Sequence, residues 1–401
     1  MADLSVTVDG LKLPNPFVIG SGPPGTNANV IGKAFDEGWG AVIAKTISLD
    51  ASKVVNVAPR YARMRARDGD EVIGWENIEL ISDRPFDVWL KEFRQIKEKY
   101  PDHVLIASIM EEYNKSAWVQ IVEQCQEAGV DAFELNFSCP HGLPERRMGA
   151  AMGQDCAILE EVCGWVNSAA SVPVWAKMTP NITHIEEPAR AALKAGCEGI
   201  SAINTILSVM SVNLDTLRPE PTVEGYTVPG GYSCKAVRPI ALRMVMETAT
   251  MMYGPTGLLP TRGRGGLVDP SGPTREPSPP PYLDRSLSAI GGIETGEHAA
   301  EFILMGASTV QVCTGVMIHG YRMVKDMCSQ LSAFMDCKGF KSIAEFRGHA
   351  LQYFTTHADL VRRQAEAKAA EKAAAIGMVT KDANWSGDQF VEQSRRLVAN
   401  D

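Results

Sequence analysis

Apolar residues in this chain gather into eight short runs, at 17–20, 41–44, 104–109, 132–137, 172–176, 199–203, 287–290 and 309–312. Inside each run they follow one another without the alternation of a half-buried strand, which is the pattern of strands covered on both faces. Stretches with helical spacing lie between most of them: 29–37, 86–99, 117–128, 156–169, 186–195, 237–251 and 299–305. Gly38, Gly129, Gly196 and Gly306 follow four of these helices where a left-handed stop belongs. Strand–helix alternation predicts a parallel sheet. Eight such units favour a closed (β/α)8 barrel over an open doubly wound sheet.

Three regions break the alternation. Residues 48–76 read as an irregular stretch rich in Arg and Asp. Residues 253–285 hold eight prolines and six glycines where a connection of a few residues belongs. They predict a disordered or extended insert before strand seven. The C-terminal part contains an Ala/Glu/Lys helix over 363–375, read as solvated. The expected division is a barrel over 1–330 and a helical extension over 331–401.

Composition narrows the class. The 401 residues are 45% hydrophobic and 22% charged, which fits one large α/β domain with extensions. A net charge of -9 gives no support for nucleic acid or an anionic membrane as partner. No run approaches the roughly 20 apolar residues of a membrane span. Residues 1–9 lack the features of a secretory leader. Nine cysteines without a single Cys-x-x-Cys argue for a reducing compartment and against a zinc ribbon or an iron–sulfur cluster. The expectation is a cytoplasmic protein with no metal, or a plastid one if a transit peptide precedes this chain.

A barrel places its reactive groups at the carboxyl ends of its strands. Here those ends carry Ser21, Lys45, Ser108, Asn136 with Cys139, Lys177, Asn204, Gly291 and Cys313. Burying an ammonium without an anion is expensive. Lys45 and Lys177 therefore predict an anionic or electron-accepting ligand over the mouth. Gly291-Gly292 and Cys313-Thr314-Gly315 follow strands seven and eight, where barrels bind phosphate; ordinary strand-to-helix turns also favour glycine. In Glu134-Leu135-Asn136-Phe137-Ser138-Cys139-Pro140-His141-Gly142, Pro140 ends the strand and leaves the thiol at the start of a polar loop. Cys139 reads either as a proton donor or as a small buried hydrophobe.

The segment from Asn136 to Gly142, with Glu145-Arg146 and Met148-Gly149, resembles the pyrimidine-reducing domain of the dihydropyrimidine dehydrogenases, within the dihydroorotate dehydrogenase-like superfamily. Further matches are Ala44-Lys45-Thr46, Asn77-Ile78-Glu79-Leu80-Ile81-Ser82, Ala107-Ser108-Ile109-Met110, Ala176-Lys177-Met178-Thr179-Pro180-Asn181, Asn204-Thr205, Val237-Arg238-Pro239-Ile240-Ala241 and Ile290-Gly291-Gly292-Ile293. The related dihydroorotate dehydrogenases usually have Asn where His141-Gly142 stands, which favours the pyrimidine-reducing branch.

The resemblance implies the barrel and FMN at its mouth. It places Ser21, Lys45, Thr46 and Lys177 on the flavin ring or ribityl chain, and Ile290, Gly291, Gly292, Cys313 and Thr314 towards the phosphate. Asn77, Asn136, Phe137, Ser138, Asn204 and Thr205 fall on the pyrimidine, with Glu79 close by. It also implies that Cys139 protonates C5 of uracil or thymine as hydride reaches C6. Cys234 stands where the family has glycine beside the flavin. With no cluster motif and no convincing dinucleotide fingerprint, electrons are expected from NAD(P)H, directly or through a partner subunit with FAD and iron–sulfur clusters. A homo-oligomer is expected. The alternatives are a dihydroorotate-oxidising enzyme and a flavin-binding protein without turnover.

Overall fold

A computed structural model of the protein describes residues 2–137, 148–254 and 282–373. Most of the insert expected at 253–285 lies outside them. Eight parallel strands close a barrel: β1 (Phe17–Ile19), β2 (Ala41–Ile43), β3 (Val104–Ile109), β4 (Ala132–Asn136), β5 (Val174–Lys177), β6 (Gly199–Ala202), β7 (Ser286–Ile290) and β8 (Thr309–Val312). Each pairs with its neighbours in chain order, and Val310 opposite Phe17 closes the ring. This is the (β/α)8 architecture expected from the eight apolar runs. Strand five begins at Val174 rather than at 172, after Pro173, which has no N–H to give a ladder.

The outer layer is formed by α1 (Ala28–Glu37), α2 (Phe86–Lys99), α3 (Lys115–Glu127), α4 (Cys156–Ala169), α5 (Glu186–Lys194), α6 (Arg238–Tyr253), α7 (Gly296–Leu304) and α8 (Met323–Lys338). Asn27, Asn114, Asp155 and Thr295 cap four of these helices by accepting backbone N–H bonds from the first turn. Trp89, Trp118, Phe93, Leu159 and Val162 pack inward from this layer and are fully buried. Helix α8 packs on α7 and runs across residue 330; the compact unit that holds the barrel extends to Gln352. The second unit, 353–401, contributes the helix His357–Ala373, with an i,i+4 pair between Arg362 and Glu366 at 2.7 Å. No helix among the described residues is long and apolar enough to cross a membrane.

Two additions define the ends of the barrel. At the amino end, a hairpin of Val6–Val8 and Leu11–Leu13 presses Val8 and Leu13 onto Val18, Ile43, Ile106 and Trp175. At the carboxyl end stands a four-stranded antiparallel sheet, ordered Ile206–Ser208, Gly230–Ser233, Val72–Asn77, Tyr61–Arg65. The stretch 48–76, expected to be irregular, supplies most of two of its strands. Arg63 and Arg65 fall on the edge strand, where exposed charge is normal, so the polar composition concealed a β-hairpin. The carboxylate of Glu76 fastens this sheet. It is buried and accepts bonds from Ser208 Oγ, Met210 N and Gly230 N at 3.1, 2.7 and 3.0 Å.

The hairpin at the amino end turns at Asp9-Gly10, both with left-handed φ, at 49° and 85°. Asp9 accepts bonds from Trp175 Nε1 at 2.6 Å and from Ser286 Oγ. Burial pushes its carboxyl up to about 6 from the ordinary 3.8, against those two bonds. The unfolded chain loses this proton first, so the stabilisation is complete below pH 4 and is lost as pH rises through 6. Asn tolerates the left-handed turn and keeps an acceptor without the charge. Asp9→Asn is expected to melt higher than wild type above pH 7, by about 2 kcal/mol, with the gap closing below pH 4. Thermal unfolding across that range checks it, and a gap independent of pH would refute it.

Candidate active site

The carboxyl ends of the barrel strands and the inner face of the four-stranded sheet enclose a cleft with about 1120 Å³ of empty volume. Ser21, Lys45, Thr46, Asn136 and Lys177 line it from strands one to five, and Asn204 and Thr205 from the end of β6. Ile290, Gly291, Gly292, Cys313 and Thr314 line it from β7 and β8, and Asn77 and Cys234 from the sheet side. Phe137 is the exception among the described candidates. Its ring is fully buried in the outer layer, 6.0 Å from Trp118, and forms no part of the wall. Strand alternation at β4 explains this, because Asn136 points in and its neighbour must point out. Ser138 and Cys139 lie outside the described residues.

Both lysines are paired within the chain, so their burial does not by itself require an anion from a ligand. Lys45 Nζ lies 2.6 Å from Glu79 Oε1. The same carboxylate takes Arg60 at 2.8 Å and the Tyr61 hydroxyl at 2.9 Å. Lys177 Nζ donates to Glu134 Oε1 at 3.0 Å and to Gln311 Oε1 at 3.2 Å. Burial and then Glu79 hold the Tyr61 phenol well above its usual range, so it remains a donor at neutral pH. Burial also pushes the Cys313 thiol up to about 11, against the pull of Lys177. A neutral thiol there adds no charge to the cleft.

Small polar side chains complete the floor. Thr46 Oγ1 lies 3.2 Å from Ser21 Oγ and 2.8 Å from Ser108 Oγ, and accepts Asn136 Nδ2 at 2.9 Å. Asn77 Nδ2 donates to Gly231 O at 3.1 Å. Asn204 Oδ1 accepts Thr205 N at 2.7 Å. Three carboxamides from three different elements thus reach one cleft. Each carries donors and an acceptor, the set needed by a ring of alternating N–H and C=O groups. Tyr61, Trp75 and Tyr232 also line the wall. Sequence reasoning missed them because they come from strands it did not foresee; the β-favouring Tyr61 and the Val72–Trp75 run around the Asp68-Gly69-Asp70 turn were the available signal.

The far end of the cleft is built from bare backbone. Gly291 and Gly292 have φ of 144° and 73°. A Cβ on Gly291 would stand 2.5 Å from Ala241 Cβ, and one on Gly292 would stand 2.9 Å from the Cys234 carbonyl. Glycine there lets the turn after β7 lie against the start of α6. Ser233 Oγ meets Thr314 Oγ1 at 2.9 Å and joins that turn region to the end of β8. Glu294 also lines this end and pairs with Lys235 at 3.0 Å, a lysine it shares with Glu71 at 2.6 Å. Paired lysines, hydroxyls, carboxamides and a glycine-lined end fit a flavin mononucleotide.

Cys234 is the discordant residue. Its φ of 79° and ψ of -171° lie in a region almost reserved for glycine. Its thiol rests 3.6 Å from Val72 O and 3.8 Å from Glu294 Oε1, and burial pushes it up to about 11.

The family model described as dihydroorotate dehydrogenase matches residues 3–268 and 285–335. An Arabidopsis thaliana protein named dihydropyrimidine dehydrogenase (NADP(+)), chloroplastic, is 61% identical over 402 residues, covering 99% of this chain and 88% of its own. The NAD-dependent dihydropyrimidine dehydrogenase subunit PreA of Escherichia coli is 40% identical over 360 residues, covering 90% of this chain and 80% of its own. The catalytic subunit of dihydroorotate dehydrogenase B (NAD(+)) of Pyrococcus abyssi is 30% identical over 349 residues, covering 87% of this chain and 99% of its own.

Relief of the strained backbone at Cys234 should outweigh the entropy that glycine adds to the unfolded chain. Cys234→Gly is expected to raise stability by about 1 kcal/mol, measured by chemical denaturation, with flavin retention equal or higher. A less stable variant would show that the thiol contacts hold this turn.

Proposed function

Because the chain belongs to the dihydroorotate dehydrogenase family, we propose that it works as an FMN-dependent dihydropyrimidine dehydrogenase, reducing the 5,6 double bond of uracil and thymine. The observation that carries this reading is the convergence of Asn77, Asn136 and Asn204 on one cleft that Lys45 and Lys177 also line. The similarity to relatives named for this activity supports it. Ser21, Thr46 and Lys177 would hold the flavin ring system and ribityl chain, and Gly291, Gly292, Cys313 and Thr314 the phosphate end. When bound, the flavin supplies the hydride that adds to C6 of the pyrimidine.

The chain's own residues do the rest. The carboxamides orient the ring by matching its donors and acceptors, and they reject analogues that leave them unpaired. Cys139, three residues beyond Asn136, donates a proton to C5 as general acid. Lys45 stays in the cleft as a tethered donor, held by Glu79, whose carboxylate it shares with Arg60. Reducing equivalents come from NAD(P)H, either directly or through a separate electron-transfer subunit, as the subunit designation of the E. coli relative favours. The relative named chloroplastic favours a plastid location over the cytoplasmic one.

Two experiments test the reading. The purified protein, loaded with FMN and reduced without oxygen, is expected to be reoxidised by uracil and thymine and not by orotate. The opposite preference would move the chain to the dihydroorotate-oxidising branch. Cys139→Ser is expected to slow reoxidation by uracil by roughly 10²–10⁴-fold, the loss typical of a general acid, with pyrimidine binding little changed. Stopped-flow absorbance and separate binding titrations measure the two. An unchanged rate would remove Cys139 from the chemistry.

A further inference from the structure

We propose that Glu134, which forms no part of the cleft wall, is the positioning residue that sets the charge and orientation of Lys177 beneath the flavin. The proposal rests on the reading of the cleft as an FMN site. Glu134 lies in the middle of β4, is fully buried, and points into the barrel. Its Oε1 takes Lys177 Nζ at 3.0 Å, and its Oε2 takes Gln311 Nε2 at 2.9 Å. Gln311 in turn accepts from Lys177 at 3.2 Å and donates to Ser201 Oγ and Ser288 Oγ at 3.1 and 3.0 Å. Ser288 Oγ is reached by Thr309 Oγ1 at 2.8 Å. Strands β4 to β8 therefore share one polar layer directly below the cleft.

This layer does two things to Lys177. An ammonium has three N–H donors. Two are committed, to Glu134 and Gln311, and Lys177 lines the cleft, so the third is what it offers a ligand. Glu134 also leaves the pair with no net charge. The electron-rich edge of a reduced flavin then meets an oriented donor rather than an uncompensated cation. A buried cation would hold electrons on the flavin; a neutral pair lets them leave towards the pyrimidine. On the other side of the cleft Lys45 shares the carboxylate of Glu79 with Arg60, so that cluster is not neutral in the same way.

The test uses the full chain reconstituted with FMN and reads the flavin rather than turnover. Sulfite adds to oxidised flavin more tightly as nearby positive charge increases, and its affinity is read from bleaching of the visible band. The reduction potential is measured in parallel by equilibration with a dye. E134Q removes the charge while keeping the shape, and is expected to bind sulfite at least about tenfold tighter and to shift to a higher potential. E134D keeps the charge and should stay near wild type. Should E134Q fail to fold, the comparison moves to K177Q against the double variant E134Q/K177Q, which buries no charge. The double variant is then expected to bind sulfite at least about tenfold tighter than K177Q. Equal sulfite affinity and equal potential in the informative pair, with flavin bound, would overturn the proposal and leave Glu134 a structural residue. Failure of the wild-type chain to bind FMN would overturn the reading of the site, and the proposal with it.

Discussion

Charge buried in the upper barrel must be balanced inside the barrel, and the rest of the site depends on that constraint. Removing a carboxylate and an ammonium from water costs several kcal/mol each. Only close pairing with full hydrogen bonding offsets it. Glu134, Lys177 and Gln311 meet these terms because closure brings β4, β5 and β8 to one axis. In an open sheet β4 and β8 would be far apart, and the same residues would leave two charges unsatisfied. The polar layer and the closed topology thus require each other.

The second buried ion cluster has a different origin. Lys45 follows a barrel strand, whereas Glu79 follows a strand of the accessory sheet, Tyr61 opens the strand beside it and Arg60 immediately precedes that strand. The accessory sheet therefore supplies the counter-charge as well as a wall. Its own attachment rests on another buried acid, Glu76, which ties 72–77 to the segments at 208–210 and 230. Loss of Glu76 would disturb a wall carrying Asn77, Trp75 and Ser233, although Glu76 is not itself part of the cleft.

Cys234 shows how local strain and function meet at the remaining edge. A residue with a side chain occupies a backbone conformation suited to glycine, beside the turn that Gly291 and Gly292 make possible. Its thiol fills space between the Val72 carbonyl and Glu294. The strain is tolerated because α6, β7 and the accessory sheet all hold that point.

The sequence by itself determined the barrel and most of the candidate residues, because both depend on local patterns. Doubly buried strands show as unbroken apolar runs, and the residue after each run marks the mouth. Ser21, Lys45, Asn136, Lys177, Asn204 and Gly291 were legible for that reason. The resemblance, also a property of sequence, added Asn77 and Glu79 from just beyond the stretch whose composition looked irregular. Only the tertiary structure decided partners. Nothing near Lys177 in the chain identifies Glu134, 43 residues before it, or Gln311, 134 residues after it, as its neighbours. Phe137 sits next to Asn136 in sequence and on the opposite side of the strand in space. Tyr61 and Trp75 entered the wall through an edge hairpin whose arginines hid its strands. Ring closure and cross-strand pairing are long-range events, and their signal is spread over residues that a linear reading keeps apart.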